Sequence, residues 1–154
     1  MNAKQHPDQL PSPTWFLPHA EPMMLLTRIL GYGDGWLTAE VRHSQGDPFS
    51  TNDGATPAWV ALEYMAQTVS AYAGSKRRAQ GQNPRIGFLL GTRDFSVSVS
   101  EFLPGSVVQI RATAILESDT EVSIFNCEVY DQDGHKVGSA QLKGVQPENP
   151  EAFI

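Results

Sequence analysis

Glu63 stands alone as a carboxylate in an apolar stretch, with Val60, Leu62, Tyr64 and Met65 around it. Apolar surroundings disfavour the charged form of a carboxyl and keep its proton to higher pH, which is what a general acid working near neutrality requires. Such an acid needs a base, and imidazole is the side chain suited to removing a weakly acidic proton near pH 7. The chain offers four histidines, His6, His19, His43 and His135. His6 lies in a polar, proline-rich start and His135 follows the Asp133-Gly134 turn, so both are expected to face solvent. His43 shares an alternation face with Leu37, Ala39 and Val41, where a histidine is a core or interface residue held by a hydrogen bond. It is the main competitor as a base. His19 sits beside Pro18 and shortly before Pro22, at the entry to the first apolar run.

Other chemistries are disfavoured. The histidines are scattered, with no His-x-x-x-His pair and no acidic cluster at ligand spacing, so no metal is expected. Cys127 is the only cysteine, which rules out an intrachain disulfide and a cysteine-based zinc site. No Gly-x-Ser-x-Gly context is present for a nucleophilic serine, and the glycines at 31, 33 and 35 read as turn formers.

Glu63 is positioned by the stretch from Thr56 to Arg78, which has the one long helical period in the chain. Ala58, Leu62, Met65, Val69 and Tyr72 recur three or four residues apart as an apolar stripe, with Trp59, Glu63, Gln67 and Ser70 on another face. Pro57 suits the first helical position after a Thr56 cap. The helix ends in Lys76, Arg77 and Arg78, before Gly81, Asn83 and Pro84 stop it.

Strands flank this helix. Met23 to Leu30 is an apolar run of strand length, and Trp36 to His43 alternates, so the two are expected to form a hairpin. After the helix, residues 86 to 102 read as strand, and Val108, Ile110, Ala112, Ala114 and Leu116 give the next strand its inward face. Phe125, Cys127 and Val129 do the same for the one after. Asp133-Gly134 is the strongest hairpin turn, leading to a last strand from Lys136 to Val145 with Gly138, Ala140 and Leu142 inward. The expected organisation is a loose lead-in over 1–14, one domain over 15–146 and a tail over 147–154. One helix between antiparallel strands implies an α+β layer structure, with a second copy expected to cover the remaining edge and face.

The chain has 154 residues, the size of one domain. Its 40% hydrophobic and 18% charged content describe a folded protein with a lightly charged surface, and a formal charge of -6 argues against a broad nucleic-acid footprint. The start lacks the continuous apolar run of a secretory signal, and no segment is long enough to span a membrane, which makes the cytoplasm the expected location. Positive charge gathers locally at Lys76, Arg77, Arg78, Arg85 and Arg93.

Four short motifs occur in order along the chain: Leu17-Pro18-His19 with Pro22, Leu62-Glu63-Tyr64-Met65-Ala66-Gln67, Phe95, and Leu103-Pro104-Gly105. In this the sequence resembles the hotdog-fold dehydratases that act on 3-hydroxyacyl groups carried by acyl carrier protein, and most of all the kind found in bacterial aryl-polyene biosynthesis. The resemblance implies a hotdog fold, an antiparallel sheet wrapped around one long central helix, with active sites at a dimer interface. It implies a histidine that takes the α-proton, an acid on the central helix that protonates the departing 3-hydroxyl, and a helix-start amide that holds the thioester oxygen. Glu63 matches the acid, and Ala58 falls where the family has the glycine whose amide faces the thioester.

The family's usual His-Phe-Pro-Gly motif would fall near Phe49-Ser50-Thr51-Asn52, where this chain has no histidine. His19 matches a position where the family also carries histidine and is the expected substitute, giving a His19 and Glu63 dyad. No cofactor is implied beyond the phosphopantetheine borne by the substrate. Trp59, Phe88 and Leu89 are expected to shape the acyl pocket. Because carrier proteins of this kind are acidic, Lys76, Arg77, Arg78 and Arg93 become the expected docking or pantetheine-binding surface. Two alternatives stand beside this one: an acyl thioesterase of the same fold, or a non-catalytic partner subunit. The expected assembly is a homodimer or a heterodimer with a related hotdog subunit.

Overall fold

The computed structural model describes residues 7–18, 23–118 and 122–147. After a 3-10 turn at Pro7–Gln9 and a short helix α1 (Pro13–Phe16), the chain forms β1 (Arg28–Gly33) and β2 (Trp36–Arg42). A short β3 (Thr56–Pro57) and a 3-10 turn at Ala58–Val60 lead into the long helix α2 (Ala61–Ala79). There follow β4 (Phe88–Val97), a short β5 (Glu101–Phe102), β6 (Val107–Leu116), β7 (Ser123–Tyr130) and β8 (Lys136–Val145). Six strands make one antiparallel sheet in the order β1-β2-β6-β7-β8-β4, while β3 pairs with β5 alone.

The alternating apolar residues of the central strands form the concave face against which α2 packs. Leu37, Ala39, Ile110, Ala112, Cys127, Val129 and Leu142 are all buried there, and α2 runs across β2, β6, β7 and β8. An antiparallel sheet curved around a single long helix is the hotdog fold that the motifs imply. Among the described residues, no helix is long and apolar enough to cross a membrane.

Several boundaries differ from the sequence expectation. Strand β1 starts at Arg28 rather than Met23, because the backbone of Met23 and Leu25 is bound to the Gln67 side chain instead of a neighbouring strand. It also runs through Gly31 and Gly33, leaving only Asp34 and Gly35 as the turn between the paired residues Gly33 and Trp36. Leu116 is 54% exposed, since the ladder slips by one residue between Ala114 and Leu116 and turns its side chain off the inner face.

The helix entry is corrected as well. Thr56 and Pro57 belong to the β3 ladder, Pro57 is the N-cap of the 3-10 turn, and no side chain caps α2. The buried face is Ala61, Tyr64, Met65, Thr68, Ala71, Tyr72 and Ser75, with Gln67 also buried, whereas Leu62 and Val69 are half-buried. Three of the five residues of the expected apolar stripe, Ala58, Met65 and Tyr72, are thus buried as read, while Leu62 and Val69 pack at the margin of the core. The fit against α1 is close: a Cβ at Gly74 would lie 1.8 Å from the Phe16 carbonyl oxygen. The far end of α2 closes with two bonds, Gln82 N–H to Arg77 O at 2.9 Å and Gly81 N–H to Arg78 O at 3.0 Å. Gly81 takes the positive φ of 73° that this closure needs.

Candidate active site

Glu63 lies in the first turn of α2, half-buried, at one end of a cavity of about 500 Å³ that follows the helix. One turn on, Gln67 is fully buried and bonded on every side: its Nε2 donates to Met23 O at 2.6 Å and to Glu63 Oε1 at 3.3 Å, while Leu25 N–H donates to its Oε1 at 2.9 Å. A buried amide so satisfied is a rigid strut. It ties Glu63 to the segment entering β1. His19 lies outside the described residues, four positions before Met23.

The helix start is anchored by the β3–β5 ladder. Ala58 is buried, and its N–H donates to Ser100 O at 3.0 Å. The amide therefore already has an acceptor in the single chain. Trp59, next along, is 62% exposed with Phe49 edge-on to it at 6.1 Å, and does not line the α2 cavity.

His43 follows β2 and is 1% exposed. Its Nδ1 lies 3.1 Å from Ser106 O, an acceptor only, so Nδ1 carries the proton and Nε2 accepts from the Tyr64 hydroxyl at 3.0 Å. Burial holds its pKa below the ordinary histidine value, against the opposing effects of the Ser106 carbonyl and Asp47. The ring also stacks on Phe102 at 4.8 Å. Both nitrogens are occupied, leaving none for a substrate proton. His43 is a structural histidine that fixes Tyr64, the neighbour of Glu63.

Of the other expected site residues, Phe88 and Leu89 line the cavity with Glu63, as do Lys76 and Arg77. Arg78 does not: its Nε donates to Trp15 O at 2.8 Å, its guanidinium lies over the Trp15 ring, and it bonds Asn83 Oδ1. Arg93 is exposed on β4. Lys76 pairs with Glu117 Oε1 at 3.0 Å, and the Tyr72 hydroxyl donates to that same oxygen at 2.5 Å while accepting from Gly35 N–H. Burial, then the bond to Glu117, pushes the Tyr72 hydroxyl pKa well up. Burial acts to raise the Glu117 carboxyl, yet the bonds from Tyr72 and Lys76 outweigh it and leave the carboxyl below its usual range.

Gln67, Tyr72 and Glu117 were not singled out by sequence reasoning. Gln67 carried a signal, a helix position one turn from Glu63, whereas Glu117 meets Tyr72 across 45 residues. Among the described residues, Asp131, Asp133 and His135 gather closely enough to suit a cation. Asp131 Oδ1 is already the acceptor for Asp133 N–H and His135 N–H, so the cluster is accounted for by the turn it closes.

The chain matches the family model described as ApeP-like, ApeP dehydratase, over residues 11–154. Among solved structures, the dehydratase heterocomplex ApeI:P from Xenorhabdus doucetiae gives a TM-score of 0.88 at 28% identity, covering 94% of this chain and 97% of that one. TT0310 protein from Thermus thermophilus gives 0.60 at 13% identity, with 82% and 97% covered. A hypothetical thioesterase from Streptococcus pneumoniae TIGR4, solved with coenzyme A, gives 0.58 at 13% identity, with 75% and 81% covered. The last two share the fold alone. No curated protein matches the chain significantly.

Proposed function

The chain belongs to the ApeP-like dehydratase family, and from that premise we propose that it removes water from a 3-hydroxyacyl thioester borne by acyl carrier protein, in aryl-polyene-type biosynthesis in the cytoplasm. The family match across residues 11–154 carries this reading. The enzyme is a hotdog-fold dehydratase, a lyase.

Glu63 supplies the proton and His19 takes one. The base removes the proton from the carbon next to the thioester carbonyl, charge builds on the thioester oxygen, and the 3-hydroxyl leaves as water with the proton from Glu63. The product is the trans-2-enoyl thioester. Two observations support Glu63 in this role: it opens onto the α2 cavity with Phe88 and Leu89, and Gln67 fixes it from behind. For His19, the support is its match in sequence to a position where the family also carries histidine. The oxyanion contact is assigned to the helix start, where Ala58 would share its N–H between Ser100 O and the thioester oxygen.

The working assembly is a pair with a related hotdog subunit, as in the Xenorhabdus doucetiae heterocomplex. Its seat on this chain is β4, which ends the sheet with one edge unpaired among the described residues and exposes Leu89 and Leu90 at 46% and 50%. Lys76, Arg77, Arg78 and Arg93 form the basic surface assigned to the carrier protein. The test is to incubate the protein, alone and with the partner subunit, with a 3-hydroxyacyl carrier protein and follow the acyl mass. Loss of one water is expected. Release of the free acid would make the enzyme a thioesterase, and no change in either assembly would make it a scaffold.

A further inference from the structure

At the end of the cavity away from Glu63 stand two arginines. Arg77 projects from α2 and Arg85 from the connection before β4, and both line the cavity. Burial, and then the charge of Arg85, holds the Arg77 pKa below its ordinary value. Like charges brought together at a cavity wall call for an anion between them.

No acid meets that call among the described residues. Neither arginine takes part in any of the ion pairs those residues form, and the nearby cavity acid Glu117 is engaged by Tyr72 and Lys76. The two guanidiniums are nevertheless held in place. Arg77 Nε donates to Asn83 O at 2.6 Å and Arg85 donates to Gln146 O at 3.2 Å, while Gln146 Nε2 returns a bond to Arg85 O at 2.8 Å. Arg85 Nε is buried without a partner, an orphan donor that a native structure ordinarily satisfies.

Amide donors stand beside them. Gln80, Gln82 and Gln146 line the same end of the cavity, and the closing carbonyls of α2 at Arg77 and Arg78 are covered by Gln82 and Gly81 N–H groups. Those two carbonyls therefore do not point unpaired at an approaching anion. Forked guanidiniums flanked by amide donors suit the several oxygens of a phosphoryl group.

We propose that Arg77 and Arg85 bind a phosphate-type oxyanion at this end of the cavity. From Glu63 to Arg77 is fourteen residues of α2, about 21 Å at the helical rise, a span that an extended phosphopantetheine arm covers. The arm's phosphate then sits at the arginines when its thioester reaches Glu63. Only this choice of ligand rests on the carrier-protein reading. The anion site itself does not.

The test is calorimetric titration at constant ionic strength with inorganic phosphate and with pantetheine 4′-phosphate, on the wild type and on Arg77→Gln, Arg85→Gln and Glu63→Gln. Both ligands are expected to bind the wild type, pantetheine 4′-phosphate the more tightly. Each arginine substitution is expected to weaken both on the order of tenfold, the loss of one charge-assisted contact. Glu63→Gln is expected to bind phosphate as the wild type does, which separates this site from the catalytic reading. Equal affinity for the two ligands would refute the pantetheine path and leave a site for free phosphate. No binding of either ligand to the wild type overturns the proposal without recourse to variants, and so does unchanged affinity in folded Arg77→Gln and Arg85→Gln.

Discussion

Replacing Gln67 with methionine keeps the length and bulk of the side chain and removes all of its hydrogen bonds. Three contacts go: Leu25 N–H to Oε1 at 2.9 Å, Nε2 to Met23 O at 2.6 Å, and the longer Nε2 to Glu63 Oε1 at 3.3 Å. The half-buried Leu25 N–H loses its acceptor, at about 1–3 kcal/mol for a donor left unpaired. Met23 is 46% exposed, so water can replace the amide on its carbonyl and the loss there is about 1 kcal/mol or less. The total is roughly 1–4 kcal/mol, up to a large part of the stability of a domain this size. Urea unfolding at pH 7 measures it. Gln67→Met is also expected to lower kcat by on the order of tenfold with KM little changed, because it positions Glu63 and the segment after His19 without lining the cavity. A stability loss under about 0.5 kcal/mol, together with unchanged kcat, would refute the strut.

The other predictions concern parts of the fold away from the substrate. Gly74→Ala places a Cβ 1.8 Å from the Phe16 carbonyl oxygen, a backbone atom, and is expected to cost about 3 kcal/mol; a change in unfolding midpoint no larger than that of a surface substitution would disprove the packing of α1 on α2. His43 is held neutral by burial, so its folded pKa lies below its unfolded one and the unfolded chain binds the extra proton first. The stability it protects is full above about pH 6.5 and is lost as pH falls below that value; His43→Gln should flatten this part of the stability–pH curve, and an unaltered slope would contradict the assignment. Burial, with a contribution from Glu128, pushes the Cys127 thiol up to about 12. It should resist a thiol-reactive disulfide reagent in the folded protein and react at once in urea, whereas fast labelling of the native state would show that the β7 face is open.

The sequence carried the element order well where side-chain alternation met an unbroken ladder. Phe125, Cys127 and Val129, and Gly138, Ala140 and Leu142 on the paired strand, alternate inward as read. It failed where geometry changes within an element. Leu116 leaves the inner face at a slipped ladder, and Thr56 and Pro57, read as the cap and first turn of the helix, pair in β3 ahead of a 3-10 turn. Neither event is marked by a residue type.

The site was legible in the same uneven way. Glu63 stood out because a lone acid among apolar residues is rare, and the structure places it at the cavity. His43 read as a core histidine from its alternation, although its hold on Tyr64 depends on a contact between distant elements. The strut at Gln67 was half legible: its place one turn from Glu63 showed in the sequence, but the chain it binds, 42 and 44 positions earlier, emerges only when folded onto it. The pairing of Arg77 with Arg85 is of that kind too: the basic run was visible, but which of its members share a cavity was fixed only by the turn after α2.

The most direct test of the dehydratase account follows 3-hydroxyacyl carrier protein by mass in single turnover, with the partner subunit present, for the wild type, Glu63→Gln and His19→Ala. Water loss is expected in the wild type and a fall of about a hundredfold or more in each variant, with both variants folded and still binding carrier protein. Water loss at the wild-type rate in both variants would contradict the assignment of the acid and the base.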